Sequence, residues 1–205
     1  MPEPPKKERN YWNLGTAYNE GLRHCQGELI VSLQDWIWVI PQGLEKFWLA
    51  YQQTNGCISG VGDQYDQLDE FGRPTNKIWN DPRKTSRHGS FYECYPNDWE
   101  LNWACAPLKA FYDIGGFDEE LDKWAGGDNI SVCERMDALG YKFYLDQTNE
   151  SFALRHERYK DWDGSHCLLT GKYHERKKQL IDKGQWPVIE FLKRGSSEKE
   201  KPAMS

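Results

Sequence analysis

The sequence of 205 residues has no long apolar run, no excess of positive charge and no paired cysteines. No stretch approaches the roughly 20 apolar residues that a membrane span needs. The polar start, MPEPPKKERNYW, also lacks the apolar core of a signal peptide. A net charge of −6 argues against general binding to nucleic acid. We therefore expect neither a membrane span nor a nucleic-acid partner.

The six cysteines are scattered, and they form neither a C-x-x-C pair nor a spacing typical of a zinc site. Several lie in apolar surroundings, such as Cys105 in NWACAPL and Cys133 in ISVCERM. This pattern predicts buried free thiols in a reducing compartment, and hence a cytoplasmic protein. The five histidines are dispersed as well, so any metal site has to be assembled from distant parts of the chain.

Aromatic residues are abundant, with 10 Trp, 11 Tyr and 8 Phe. Their flat apolar faces with polar tips suit sugar rings, bases or protein partners, but aromatic side chains also fill cores. The count alone therefore does not decide between a binding role and a packing role.

Hydrophobic periodicity predicts helices interleaved with strands. Apolar residues at 44, 47, 48 and 51 follow the spacing of an amphipathic helix, and further helices are predicted near 11–25, 128–139 and 173–181. Strands are predicted at 28–33, 57–62, 141–145 and 151–156. We expect an α/β sandwich with a mainly parallel sheet, formed by one domain at 11–190 between a flexible N-terminus at 1–10 and a disordered tail at 191–205.

The segment from 63 to 97 is polar and rich in turn residues, which predicts a long loop of functional importance. It contains a basic patch formed by Arg83, Lys84, Arg87 and His88. This patch is either a solvated loop or a mobile lid that closes over a diphosphate.

Gln34, Asp35 and Trp36 directly follow the predicted strand at 28–33. Ligands of open α/β sheets bind at the C-terminal ends of the strands. A single carboxylate there also fits an ordinary solvated turn, so the position alone leaves both interpretations open.

Two blocks of the sequence, in this order, resemble glycosyltransferase family 2. The first, WNLGTAYNEGLRHCQGELIVSLQDWIWVIPQGLEKF, is similar to the family segment that runs from an Asn-containing helix into the strand ending in the D-x-D motif. The second, IGGFDEELDKWAGGDNISVCERMDALGYKF, is similar to the later block with an acidic motif that opens a helix. LRH at 154–156 resembles the family's late histidine, and the resemblance covers about residues 12–156.

The resemblance implies a GT-A fold, which is Rossmann-like, together with a nucleotide-sugar donor, a glycan or related acceptor, and a divalent metal, manganese or magnesium. Such a metal neutralises the diphosphate leaving group, and a carboxylate deprotonates the acceptor hydroxyl. The resemblance implies that the donor is bound by Gln34, Asp35, Trp36 and Arg135. It also implies Asp35 and His156 as the metal ligands and Asp128 as the general base. The residues implied to bind the acceptor are Trp99, Asn102, Trp103, Gly126, Gly127 and Asn129. Asp128 also fits a helix N-cap, Trp103 a core position, and Arg135 an ion pair with an acidic neighbour.

The sequence departs from the family pattern at three places. Gln34-Asp35-Trp36 replaces D-x-D, Asn129 stands at the second position of the acidic motif, and the family's first strand and helix, which grip the nucleotide, have no counterpart before Tyr11. We expect an N-terminally shortened relative, for which a partner chain is one source of the nucleotide-binding half. Two functions stay open: a hexosyltransferase-like enzyme, and a catalytically inactive domain that binds glycan or protein through an aromatic cleft.

Overall fold

The structure is a computed structural model, and it describes residues 13–35, 37–124, 127–155 and 166–192. The helices of this part are α1 (Leu14–His24), α2 (Gly43–Thr54), α3 (Leu108–Asp113), α4 (Asp128–Ala138) and α5 (His166–Asp182), with 3-10 turns at Pro96–Asp98 and Glu119–Trp124. The strands are β1 (Leu29–Leu33), β2 (Ile37–Val39), β3 (Cys57–Leu68), β4 (Pro74–Trp79), β5 (Phe91–Glu93), β6 (Trp103–Pro107) and β7 (Phe143–Leu154). The predicted N-terminus at 1–10 and most of the predicted tail lie outside the described residues.

The seven strands of the described chain form one sheet in the order β1-β6-β3-β7-β2, with β4 added to β3 and β5 added to β7. Only the β3–β7 pair is parallel in this part of the chain, and the other five pairs are antiparallel. The predicted α/β class is confirmed, but the prediction of a mainly parallel sheet is wrong. The physical reason is that β6 lies between β1 and β3 and runs antiparallel to both. The short strands β2 and β5 pair antiparallel with β7, and β4 forms an antiparallel hairpin with β3.

Strand β1 lies at the edge of the sheet, whereas its apolar sequence suggests a central strand. It pairs with β6 from Leu29↔Pro107 to Leu33↔Trp103, and within the described residues it pairs with no other strand. Leu29 and Val31 pack against the core on the α2 side, while Ile30 packs against the core on the opposite face. Both faces of β1 are therefore covered, which explains an apolar run in an edge strand.

The core consists of two clusters. The larger one contains residues from α3, α4 and the turns around them, including Trp99, Phe111, Ile114, Phe117 and Met136. The smaller one lies under α2 and contains Phe47, Tyr51, Ile58, Trp103 and Cys105. Of the helices that the structure describes, none combines the length and the apolar character needed to cross a membrane.

The segment predicted as a long loop at 63–97 contains regular structure. β3 continues to Leu68, turns back into β4 and thereby forms an antiparallel hairpin, and β5 pairs with β7. Most residues between 66 and 80 are exposed. Since this hairpin extends beyond the core, it lacks the apolar alternation by which a half-buried strand is recognised.

Candidate functional site

Three predicted site residues meet where β1 ends. The backbone N–H of Gln34 donates to the carbonyl of Asn102 at 3.1 Å, which joins the end of β1 to the loop before β6. Gln34 is half-buried, and both Asp35 and Asn102 are exposed. The amide and the carboxylate are thus accessible to a ligand at this edge of the sheet.

We predict that Asp35 and His156 approach each other at the C-terminal ends of their strands, and this stays a prediction. Ile37, two residues after Asp35, pairs with Ala153, two residues before Arg155. Asp35 and Arg155 therefore lie at the same end of the β2–β7 pair. His156, Trp36 and Gly126 lie outside the described residues.

The described residues do not supply a complete metal site. In the part of the chain that the structure covers, no group of three or more His, Cys, Asp or Glu side chains is arranged to hold a metal ion. Asp35 is exposed, and its predicted fellow ligand falls outside the described ranges. Manganese and magnesium prefer several oxygen ligands, so Asp35 alone would hold such an ion weakly.

The loop that leads into β6 is held by side chains from two directions. Asn129 accepts a hydrogen bond from the N–H of Leu101 at 3.0 Å and donates one to the carbonyl of Trp99 at 2.9 Å. Ser32 donates to the carbonyl of Leu101 at 2.5 Å. The amide of Asn129, predicted to bind the acceptor, is therefore used to fix this loop.

Glu100 in this loop is a candidate that the sequence reasoning missed. Its carboxylate lies 3.5 Å from the guanidinium of Arg83, which itself binds Asp81 at 2.5 Å. Burial raises the pKa of Glu100, Arg83 opposes the shift, and the charges of Asp81 and Asp98 add to it. The available signal was an acidic residue in DWELNW, inside the loop assigned to acceptor binding.

Asp128 is 5% exposed and is the first residue of α4. The N-cap position belongs to Gly127, whose φ of +89° is left-handed and which has no side chain to cap the helix. The alternative interpretation of Asp128 as the N-cap is therefore wrong by one position.

Burial raises the pKa of Tyr18, the hydrogen bond of Tyr18 with Ser32 opposes the shift, and the nearby charge of Asp128 adds to it. The Tyr18 hydroxyl lies 2.7 Å from the Ser32 hydroxyl of β1.

Arg135, predicted to bind the donor, is fully buried. Its guanidinium donates to the carbonyls of Ile114 at 2.8 Å and Gly116 at 2.7 Å, and its Nε donates to Ser131. Burial lowers the pKa of Arg135 to about 10. The side chain braces the turn after α3 and does not face a ligand, because its donors are used within the chain.

The two tryptophans predicted to bind the acceptor lie in the core. The Trp99 ring donates to the carbonyl of Cys105 at 3.1 Å, and the Trp103 ring donates to the Asn149 side chain at 3.1 Å. Both rings are almost completely buried, so neither offers a face to an acceptor in this structure.

A comparison with solved structures decides the fold. A crystal structure of GalNAc-T7 with UDP, GalNAc and Mn2+ is similar to this chain, with a TM-score of 0.55 and 15% sequence identity over 82% of this chain. The chain has a GT-A-like fold. It spans 35% of the length of the GalNAc-T7 chain. No family model and no curated protein matches the sequence. The implied GT-A fold is confirmed at the level of fold alone, by the structural similarity.

Proposed function

We propose that this protein is a glycosyltransferase that transfers a sugar from a nucleotide-sugar donor to a glycan or related acceptor. The observation that carries the proposal is the GT-A-like fold, since the similar structure contains UDP, GalNAc and Mn2+. The accessible polar groups at the C-terminal end of β1 support it, because ligands of α/β sheets bind at the C-terminal ends of the strands.

The donor would be bound through Gln34 and Asp35. The amide of Gln34 suits a ribose hydroxyl or the polar edge of a base, and the carboxylate of Asp35 is the group available for a divalent metal or a sugar hydroxyl. Trp36, Gly126 and His156 keep their predicted roles as part of the proposal. Arg135, Trp99 and Trp103 do not, because they are buried and hydrogen-bonded within the chain.

We propose Glu100, in preference to Asp128, as the general base. A base must reach within about 3 Å of the acceptor hydroxyl. The Glu100 side chain is 45% exposed, whereas Asp128 is 5% exposed. The raised pKa of Glu100 also makes its carboxylate a stronger proton acceptor than that of an ordinary glutamate.

The edge of β1 is the proposed place for a partner chain. A strand that pairs on one side only presents backbone N–H and C=O groups to a further strand. A nucleotide-binding half supplied by another chain would extend the sheet there. The buried thiols of Cys57, Cys105 and Cys133 are free, and this state fits the proposed cytoplasmic location.

A second function is favoured by two observations. The described residues offer no group of three acidic or histidine side chains for a metal, and the D-x-D position retains one carboxylate. A GT-A-like domain of this kind could bind a glycan or protein without turnover.

A two-step experiment separates these functions. A thermal-shift screen of UDP- and GDP-sugars, with and without Mn2+, first identifies a donor by a rise in Tm. Nucleotide release from that donor is then measured with and without a glycan acceptor. The proposal expects acceptor-dependent release, binding without release supports the inactive domain, and the absence of any shift contradicts donor binding.

A further inference from the structure

A cleft of about 1070 Å³ lies between the segment at 82–88, strand β5 and the turn at 95–98. Its lining includes Arg87, His88, Tyr92, Tyr95, Asp98 and Asp137. The volume is that of a ligand site for a molecule larger than a single small metabolite.

The cleft does not present a concentrated positive charge, although it contains the basic patch. The Arg83 guanidinium is bound by Asp81, and the Lys84 ammonium lies 3.0 Å from Asp63 and 2.8 Å from Glu150. The lining also brings in Glu93, Asp98 and Asp137, which balance the three basic residues in number. A lid that closes over a diphosphate is therefore disfavoured, and the lining is compatible with an uncharged ligand.

Aromatic rings give the cleft flat apolar surfaces beside these polar groups. The Tyr95 ring is 81% exposed, and the rings of His88 and Tyr92 pack with centroids 4.9 Å apart. The apolar face of a sugar ring stacks on such surfaces, and carboxylates accept hydrogen bonds from sugar hydroxyls.

We propose that this cleft binds a neutral oligosaccharide. One end of it adjoins the candidate site, because Arg83 lines the cleft, donates to the carbonyl of Asp98 at 2.7 Å and lies 3.5 Å from Glu100. The bound glycan would thus be the acceptor, and this identification rests on the proposed function. Binding itself requires neither donor nor turnover.

The test uses saturation-transfer NMR and calorimetry on the full chain with maltotetraose, cellotetraose and chitotetraose. Heparin tetrasaccharide and inorganic pyrophosphate serve as anionic probes. At least one neutral tetrasaccharide is expected to bind, and Tyr95→Ala should weaken that binding by roughly tenfold. Phe71→Ala is the matched control, since Phe71 is 70% exposed in the β3–β4 turn outside the cleft, and it should leave the affinity unchanged.

Three results would overturn the proposal: no neutral tetrasaccharide binds, only an anionic probe binds, or Tyr95→Ala binds as the wild type does. Failure of the cleft and failure of the transferase are distinguishable. Glycan binding without any nucleotide-sugar binding would support the cleft proposal and contradict the transferase proposal. Transfer with a KM for the glycan that is unchanged in Tyr95→Ala would support the transferase proposal and contradict the cleft proposal.

Discussion

The guanidinium of Arg83 lies 3.5 Å from the carboxylate of Glu100, between the candidate site and the cleft. Arg83 also donates to the Ser59 hydroxyl at 3.2 Å, and the N–H of Glu100 contacts the same hydroxyl at 3.4 Å. The Ser59 hydroxyl thus joins Arg83 to the backbone of Glu100, and Arg83 in turn orients the Glu100 carboxylate. A positioned carboxylate beside a glycan-sized cleft is the arrangement that acceptor activation needs.

Replacing Glu100 tests the proposed base. Glu100→Gln keeps the shape of the side chain but cannot accept the proton, so kcat should fall by roughly 100-fold or more while donor affinity stays unchanged. Asp128→Asn is the comparison, and it should reduce kcat much less because Asp128 is buried. The assignment fails if Asp128→Asn abolishes transfer and Glu100→Gln does not.

The pH profile of the same reaction gives an independent reading. A base acts only when deprotonated, so kcat/KM should rise with pH. The midpoint should lie above the ordinary value of 4.5 because the pKa of Glu100 is raised. The profile of Glu100→Gln should lose this acidic limb, and an unchanged limb would assign it to another group.

Close packing around Gly60 predicts a large effect on stability. A Cβ at this position would lie 2.3 Å from both the Trp103 ring and the carbonyl of Asn149. Gly60→Ala should therefore lower the free energy of unfolding by about 2 kcal/mol or more. The control is Gly21→Ala in α1, which meets open space and should raise it by about 0.5–1 kcal/mol. Urea unfolding measures both, and equal effects of the two variants would contradict the packing.

The buried guanidinium of Arg135 makes a second prediction about stability. Lys cannot reproduce its fork of donors to Ile114 and Gly116, so Arg135→Lys should cost about 2–4 kcal/mol of the free energy of unfolding. Arg73→Lys at an exposed pair should change it by less than about 0.5 kcal/mol. If Arg135→Lys were instead normal in stability and impaired in donor binding, Arg135 would belong to the site after all.

Asp63 should make stability depend on pH in acid. Burial alone raises its pKa, but hydrogen bonds from Lys77, the Asp81 backbone and Lys84 outweigh burial and hold the pKa below the ordinary 3.8. The unfolded chain therefore takes up a proton first as the pH falls, and this part of the stability is lost between the ordinary value and the lowered native value. Urea unfolding of Asp63→Asn should show a flatter dependence in this window, and a dependence identical to that of the wild type would contradict the network.

Local patterns in the sequence identified elements better than their arrangement. The apolar spacing of α2 predicted a helix, and the apolar run of β1 predicted a strand. Because both faces of β1 are covered, its sequence resembles that of a central strand although β1 lies at the edge of the sheet. The loop network of Asn129 and the buried bonds of Arg135 join residues far apart in the chain, so no local pattern reports them. Trp103 was equally compatible with packing, and burial places both Trp103 and Trp99 in the core.

Calorimetric titration with UDP- and GDP-sugars, with and without Mn2+, tests the central claim most directly. The account predicts that at least one nucleotide sugar binds the wild type and that Asp35→Asn weakens this binding by roughly tenfold. Asp66→Asn, which removes an exposed carboxylate in the β3–β4 hairpin, should leave the affinity unchanged. The absence of binding by every nucleotide sugar, or equal affinities of the wild type and Asp35→Asn, would contradict a donor site at the end of β1.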